Sequence, residues 1–447
     1  MPDINWEASV DETVDHLVRL IRVDTTNPPG NELLAIRLIQ DILEREGFTD
    51  NDYRILESAP NRGNLVIRLR GDGSKRPILL SGHVDVVAVE RDYWEHDPFG
   101  GEIIDGEVWG RGTMDMKGFL SMYLQVFLLA KRQGLPLKRD LILAAIADEE
   151  AGFQHGSGYL VREHRDLINA EYALTEGGGM TIYMGKQRLY PIQVAEKGVC
   201  WLRMRASGEP GHGSTPNLDC SIYRLAGALQ KLQRAGHLPI HITPVFKAML
   251  EALSRQARPP LGTAAKVMES PGMASMLLRF LPPTSQRLFL ALMSNTVSPN
   301  ILNAGYKTNV IPATAEAVLD CRLVPGQTPQ NVIDELHAIM GKDIELEPIV
   351  TTTGTSFPVD TPLFQLLERH VHQLDPAGIV IPFLMMGATD ASMYQEAGIT
   401  VYGFTPGVLP DGLPILKMAH GHNERLPISY IKSGLPVLWD VVREFCT

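Results

Sequence analysis

The sequence predicts an α/β protein built from two domains, and three observations lead there. At 447 residues the chain exceeds what one hydrophobic core usually organises, and at about 150 residues per domain it has room for two or three, two being the working number. Short apolar runs alternate with helical spacing through the N-terminal part, the pattern of central strands connected by helices. Near residue 192 this texture gives way to a strand of period two followed by Gly- and Pro-rich sequence, which marks a domain boundary.

Residues 11–22 and 32–46 carry apolar side chains at helical spacing, the second stretch opening after the turn Asn27-Pro28-Pro29-Gly30, and both read as surface helices. The apolar runs 64–70, 77–80 and 141–147 read as strands, with a helical stretch over 117–133 between the last two. Residues 196–205 alternate as a strand, 207–216 form a Gly- and Pro-rich connection, and a helix starts at about Ser221. Leu, Met, Pro and Ala dominate 238–292, which reads as several short helices and an insertion. A strand over 310–323, a helix over 330–341 and a Thr-rich strand ending near Gly354 complete the second domain. No internal repeat is present.

Composition narrows the function classes. Hydrophobic content of 44% and charged content of 21% are ordinary for a globular protein with buried cores. A formal net charge of −11 argues against a nucleic-acid surface. The acidic start MPDINWEASVDE has no apolar signal region and no later stretch offers a run long enough to span a bilayer, so the expectation is a cytoplasmic protein without a membrane partner. Cys200, Cys220, Cys321 and Cys446 lack metal-site spacing and read as reduced packing residues, which leaves His, Asp and Glu to hold any metal.

Five motifs carry such residues. Ser81-Gly82-His83-Val84-Asp85 follows an apolar run, and Asp85 is placed to accept the second ring N–H of His83, which would raise the basicity of a metal-binding imidazole. Trp109-Gly110-Arg111-Gly112-Thr113-Met114-Asp115 puts a carboxylate in a Gly-rich turn before a helix, where a plain N-cap is the bland alternative. Asp148-Glu149-Glu150 crowds three acids at a strand end, a repulsion that a cation relieves. Glu176 ends a further apolar run ahead of three glycines, and Ala419-His420-Gly421-His422-Asn423-Glu424 offers two imidazoles near the C-terminus. Two cations about 3.5 to 4 Å apart need this mixture of imidazoles and carboxylates, with one carboxylate as bridge.

In order and spacing, these motifs resemble the dizinc metallohydrolase family of aminoacylase, glutamate carboxypeptidase, acetylornithine deacetylase and succinyl-diaminopimelate desuccinylase, over nearly the whole chain. The resemblance implies a catalytic domain, residues 1–191 and 355–447, with a central mixed sheet and helices on both faces, and an inserted smaller α/β lid, residues 192–354. It implies two Zn2+ per subunit, with Co2+ or Mn2+ suited to the same ligands. His83, Asp115 and Glu176 would hold one ion and Asp115, Glu150 and His420 the other, His420 being preferred to His422 because it stands four residues before Glu424. Glu149 would be the general base, His212 in Gly211-His212-Gly213-Ser214 an oxyanion donor, and Asn309 and Arg322 the groups that receive a substrate carboxylate. Gly387 and Thr389 resemble a substrate loop. The implied substrate is an N-acyl amino acid or short peptide cleaved beside a free carboxylate, and the lid of many relatives implies a homodimer. A dipeptidase or aminopeptidase on the same fold is the alternative. A non-catalytic binding protein would lack a ligand or the base, and none is missing. The absence of His-Glu-x-x-His and Pro-Cys-x-x-Cys disfavours single-zinc classes.

Overall fold

The strands Ile78–His83 and Leu141–Ile146 are buried at every position, as parallel neighbours covered on both faces must be. They pair in parallel at the centre of a mixed sheet. The computed structural model describes residues 3–447. Beyond Leu141–Ile146 lie Gly63–Leu69 and then Tyr53–Glu57, each antiparallel to its neighbour. Beyond Ile78–His83 lie Tyr172–Thr175 and Thr400–Gly403, both parallel, and then Gln187–Glu196, which runs the other way.

Helices flank this sheet. Lys117–Arg132 is buried from Lys117 to Ala130 and packs on both central strands. Trp6–Ile21 and Ile428–Cys446 pack against it in turn, and Pro362–Leu374 packs on Ile428–Cys446. Helical periodicity over 11–22, 32–46 and 117–133 thus corresponds to Trp6–Ile21, Glu32–Arg45 and Lys117–Arg132. No helix among the described residues is long and apolar enough to cross a membrane.

The chain divides into two compact units: Met1–Val194 with Phe357–Ile381 and Thr389–Thr447, and Ala195–Ser356 with Pro382–Ala388. The second unit is an antiparallel sheet in the order Thr296–Ala304, Thr314–Leu323, Gly198–Ser207, Glu345–Thr351. Its two inner strands alternate in burial, which gives one face to the core and one to solvent. The core face, with Leu202, Met204 and Leu319, packs with Val332 and Leu336 of the Pro329–Met340 helix and Leu225 of the Ser221–Ala235 helix. Cys200 and Cys321, distant in sequence, stand directly opposite each other in this core as free thiols.

Two local expectations are corrected. The strand read over 310–323 is two elements: Val310–Ile311 forms a ribbon with Gly211–His212, and Thr314–Leu323 joins the sheet. Pro312 between them has no N–H to continue a ladder. The strand Thr296–Ala304 was not anticipated, because it lies at the sheet edge, mostly exposed, and so carries no alternating pattern. Between residues 244 and 293 the chain forms four short helices, Pro244–Gln256, Leu261–Met268, Pro271–Leu278 and Pro283–Met293.

Candidate metal centre

His83 ends its central strand fully buried, with Nε2 3.1 Å from Oδ1 of Asp115 and 3.6 Å from Oε1 of Glu176. The other oxygen of Asp115 lies 3.0 Å from Nε2 of His420, and that same nitrogen lies 3.0 Å from Glu150. Asp115 therefore stands between two imidazoles, one oxygen to each. His83, Glu149 and Glu176 bring ligand atoms within 4.8 Å of one another, as do His83, Asp115 and Glu150. His422 is elsewhere: it bonds Glu90 at 3.0 Å and stacks on Tyr93, which separates the two C-terminal imidazoles.

Long-range pairings shape these loops. The buried Glu424 carboxylate accepts from the amides of Gly112, Met114 and Asp115 at 3.1, 2.7 and 3.1 Å and from Arg111 at 2.6 Å. Arg111 also donates to the carbonyl of Gly421, so one ion pair ties the loop bearing His420 to the loop bearing Asp115. Asp115 is not the N-cap of the following helix, a position held by Met116, so its side chain is left for the cluster. Glu176, just past the end of Tyr172–Thr175, comes so close to Thr400–Gly403 that a Cβ on Gly403 would lie 2.1 Å from the Glu176 carbonyl, and only glycine fits there.

The triple-acid turn is resolved by two different devices. Asp148 adopts a left-handed φ of 66°, and Arg62 neutralises it at 2.6 Å while also gripping the buried Glu32. Within the same turn, the amides of Glu149 and Glu150 both donate to the Asp85 carboxylate at 3.2 Å, and Asn27 donates to Asp85 and Asp148 at 2.9 and 3.1 Å. Nδ1 of His83 accordingly has the backbone carbonyl of Asp85 as its nearest partner at 3.0 Å, with the carboxylate at 3.5 Å. Asp85 thus holds the Glu149–Glu150 turn as well as lying beside the imidazole, more than its sequence position suggested.

Charge in this pocket is unbalanced. Burial, and then the neighbouring Glu176, push Glu149 well above the usual carboxylate range. Burial, followed by Asp115, raises Glu176 to about 8, and burial raises Glu150. Asp115 goes the other way, because hydrogen bonds from His420 and His83 outweigh its burial. His83 is held well above its ordinary value although burial opposes this, since Glu176, Asp115 and Asp85 surround it. Two imidazoles cannot neutralise the four half-buried carboxylates of Asp115, Glu149, Glu150 and Glu176, and Oε1 of Glu150 is buried without a hydrogen-bond partner. An orphaned carboxylate oxygen inside a His, Asp and Glu cluster fits divalent cations with nitrogen and oxygen ligands.

The remaining sequence candidates are distributed as follows. His212 and Asn309 are neighbours in the second unit, where the Gly213 amide donates to the Asn309 carbonyl at 2.9 Å, and the exposed His212 ring bonds Ser214 at 2.7 Å. Arg322 of the same unit already pairs with Asp320 at 2.8 Å through its fork. Gly387 has open space where a Cβ would stand, so no close approach requires glycine there. Thr389, in the first unit, accepts from the Ala391 amide at the start of the Ala391–Glu396 helix. Sequence reasoning missed Asn27, Glu32 and Arg62, and it saw Asp390 only as a member of the substrate-loop motif Gly387-Ala388-Thr389-Asp390-Ala391, without a role of its own. Asp390 is buried on Ser157 at 2.5 Å, and burial lifts its carboxyl to about 7. Asn27 was visible only as part of a turn.

Known proteins share both sequence and fold with this chain. The chain is 30% identical over 364 residues to the N-fatty-acyl-amino acid synthase/hydrolase PM20D1 of Xenopus tropicalis, spanning 79% of this chain and 70% of that protein. Its fold matches an M20 family metallo-carboxypeptidase from Sulfolobus solfataricus with a TM-score of 0.71 at 17% identity, over 97% of this chain and 99% of that one. It also matches a dinuclear metal binding M20 peptidase of Bacillus subtilis with a TM-score of 0.59 at 13% identity, over 99% and 100% of the two chains. Residues 79–444, from the strand that ends in His83 to the last helix, match the sequence model of one family, and the protein accordingly belongs to Peptidase family M20/M25/M40, whose members hydrolyse amide and peptide bonds.

Proposed function

We propose that this protein hydrolyses an amide bond beside a free carboxylate, in an N-acyl amino acid or at the C-terminus of a short peptide, and the observation that carries the reading is Asp115 set between His83 and His420. His83, Asp115 and Glu176 form one ligand set and Asp115, Glu150 and His420 the other, for two zinc ions, with cobalt or manganese suited to the same donors. Cations bound there supply Lewis acidity at the scissile carbonyl. Glu149 takes a proton from the attacking water as its oxygen adds to the carbonyl carbon, and returns that proton to the leaving nitrogen as the C–N bond breaks. Burial suits Glu149 to carry that proton, because it raises the affinity of the carboxylate for it. Asp85 holds the turn that aims Glu149.

His212 serves as the oxyanion donor, and Asn309 and Arg322 receive the substrate carboxylate, since a guanidinium fork pairs with a carboxylate in two hydrogen bonds. Gly387 and Thr389 belong to the substrate loop. The names of the Xenopus and Sulfolobus relatives support a carboxylate-bearing substrate. A homodimer through the second unit is favoured by its edge strand Thr296–Ala304, where Ile301 and Leu302 are exposed.

The experiment is a mass-spectrometric hydrolysis screen of the metal-loaded protein with N-acyl amino acids, their amidated counterparts and free dipeptides. Cleavage confined to free-carboxylate, N-acylated substrates is expected, and preference for dipeptides with free amino groups replaces this reading by a peptidase. Glu149→Gln should retain its metal while turnover falls by about 10²- to 10⁴-fold. Undiminished turnover removes Glu149 from the mechanism.

A further inference from the structure

A helix with almost no polar side chain belongs in a core or against lipid, yet Pro271–Leu278, whose one polar side chain is Ser275, lies at the surface of the second unit. Ala274 and Leu278 turn inward, whereas Met273 and Met276 are 41% and 46% exposed and Phe280, just past the helix end, is 80% exposed. A spacing of three residues puts Met273 and Met276 on one face of the helix, and Phe280 follows in the turn at its end. The surrounding helical segment Pro244–Met293 contains Lys247, Arg255, Arg258, Lys266, Arg279 and Arg287 against Glu251 and Glu269, a balance of +4 in a chain whose formal net charge is −11. Arg255, Lys266, Arg279 and Arg287 are exposed and enter no ion pair among the described residues.

We propose that this face docks on the surface of an anionic phospholipid bilayer. Met273, Met276 and Phe280 enter the boundary between headgroups and acyl chains, and the exposed Arg and Lys side chains of the same helical segment, Arg279 next to Phe280 among them, engage the lipid phosphates. Charge selects this occupant. A second copy seated on the same face by twofold symmetry would bring two basic segments together, whereas an anionic surface attracts this segment and repels the acidic remainder of the molecule. The sequence-based expectation of no membrane partner rested on the lack of a spanning segment, and surface docking needs none. The proposal stands independently of the substrate reading.

The test is co-flotation of the metal-loaded full chain with vesicles of phosphatidylcholine alone or with about a third phosphatidylglycerol, at low and high salt. Binding to the anionic vesicles is expected, falling about tenfold or more in the triple variant Met273→Ser, Met276→Ser, Phe280→Ser and likewise in Arg279→Glu, Arg287→Glu. Both variants should keep their melting temperature and their hydrolysis rate in vesicle-free solution. Absence of binding by the wild type, equal binding to neutral vesicles, or unchanged binding by both variants overturns the proposal. A change of oligomeric state in the serine variant, read by light scattering, also overturns it and makes the face an interface between copies.

Discussion

Arg62 is the residue on which the triple-acid turn depends, because it is the partner of both Asp148 and Glu32. Truncating one member of a buried ionic cluster leaves charge uncompensated, which costs about 3–5 kcal/mol. Arg62→Met should therefore lower unfolding stability by about that amount in a denaturant titration, and an unchanged midpoint would show that Asp148 finds another partner. Lys197 makes a pH prediction. Burial, with Arg322 nearby, depresses its ammonium from 10.5 to about 7, and Nζ donates to the Ser294 carbonyl. In the unfolded chain Lys197 stays protonated up to its ordinary value, so between pH 7 and 10.5 the unfolded state binds more protons and stability rises with pH. Below the folded value the cost of burying the charge is fully present. Lys197→Met should thus stabilise the protein most near and below neutrality, the advantage shrinking as pH climbs; a pH-independent difference in melting temperature would refute the depressed value.

At the scale of elements, the four short helices between residues 244 and 293 are secured at their feet. Residues Ile240 and Ser294 form an isolated bridge, and Glu335 on the Pro329–Met340 helix accepts from His241 at 2.6 Å and from Asn295 at 3.0 Å, one residue from each end of the segment. Glu335→Ala removes both contacts and leaves two donors partly buried, a loss of about 1–3 kcal/mol for each unsatisfied group. Faster amide exchange confined to residues 244–293 is the expected outcome, and uniform protection would mean that the apolar packing alone anchors the segment. These helices were legible as short helices because Pro244, Pro271 and Pro283 stand within their first turns, where proline is tolerated. The grip of Glu335 was not, since it joins residues 94 and 40 positions apart.

For the whole molecule, cations that bind the folded site and not the unfolded chain stabilise it by mass action, about 4 kcal/mol at a thousandfold excess over Kd. Chelation should therefore lower the melting temperature by several degrees and abolish hydrolysis together, with both restored by added zinc. A loss of hydrolysis without any thermal shift would detach the cation site from the folded core. The expected α/β class with a flanked mixed sheet is the observed one, and the candidate metal ligands sit where open sheets collect chemistry, at strand ends and adjoining loops.

By itself the sequence determined the central strands, the helices that cover them and the five short motifs, because burial on both faces, helical periodicity and crowded acids are all local patterns. Tertiary structure decided which groups meet. Arg62 reaches Asp148 across 86 positions, Asn27 across 121, and Glu424 reaches Arg111 across 313. Those separations carry no periodic signal, and the same carboxylate in solution would be only a solvated charge. Folding removes water from these groups and leaves each charge to whichever partner the sheet has brought within reach, which is why Asp148 is answered by an arginine while its neighbours Glu149 and Glu150 face the imidazoles and Asp115.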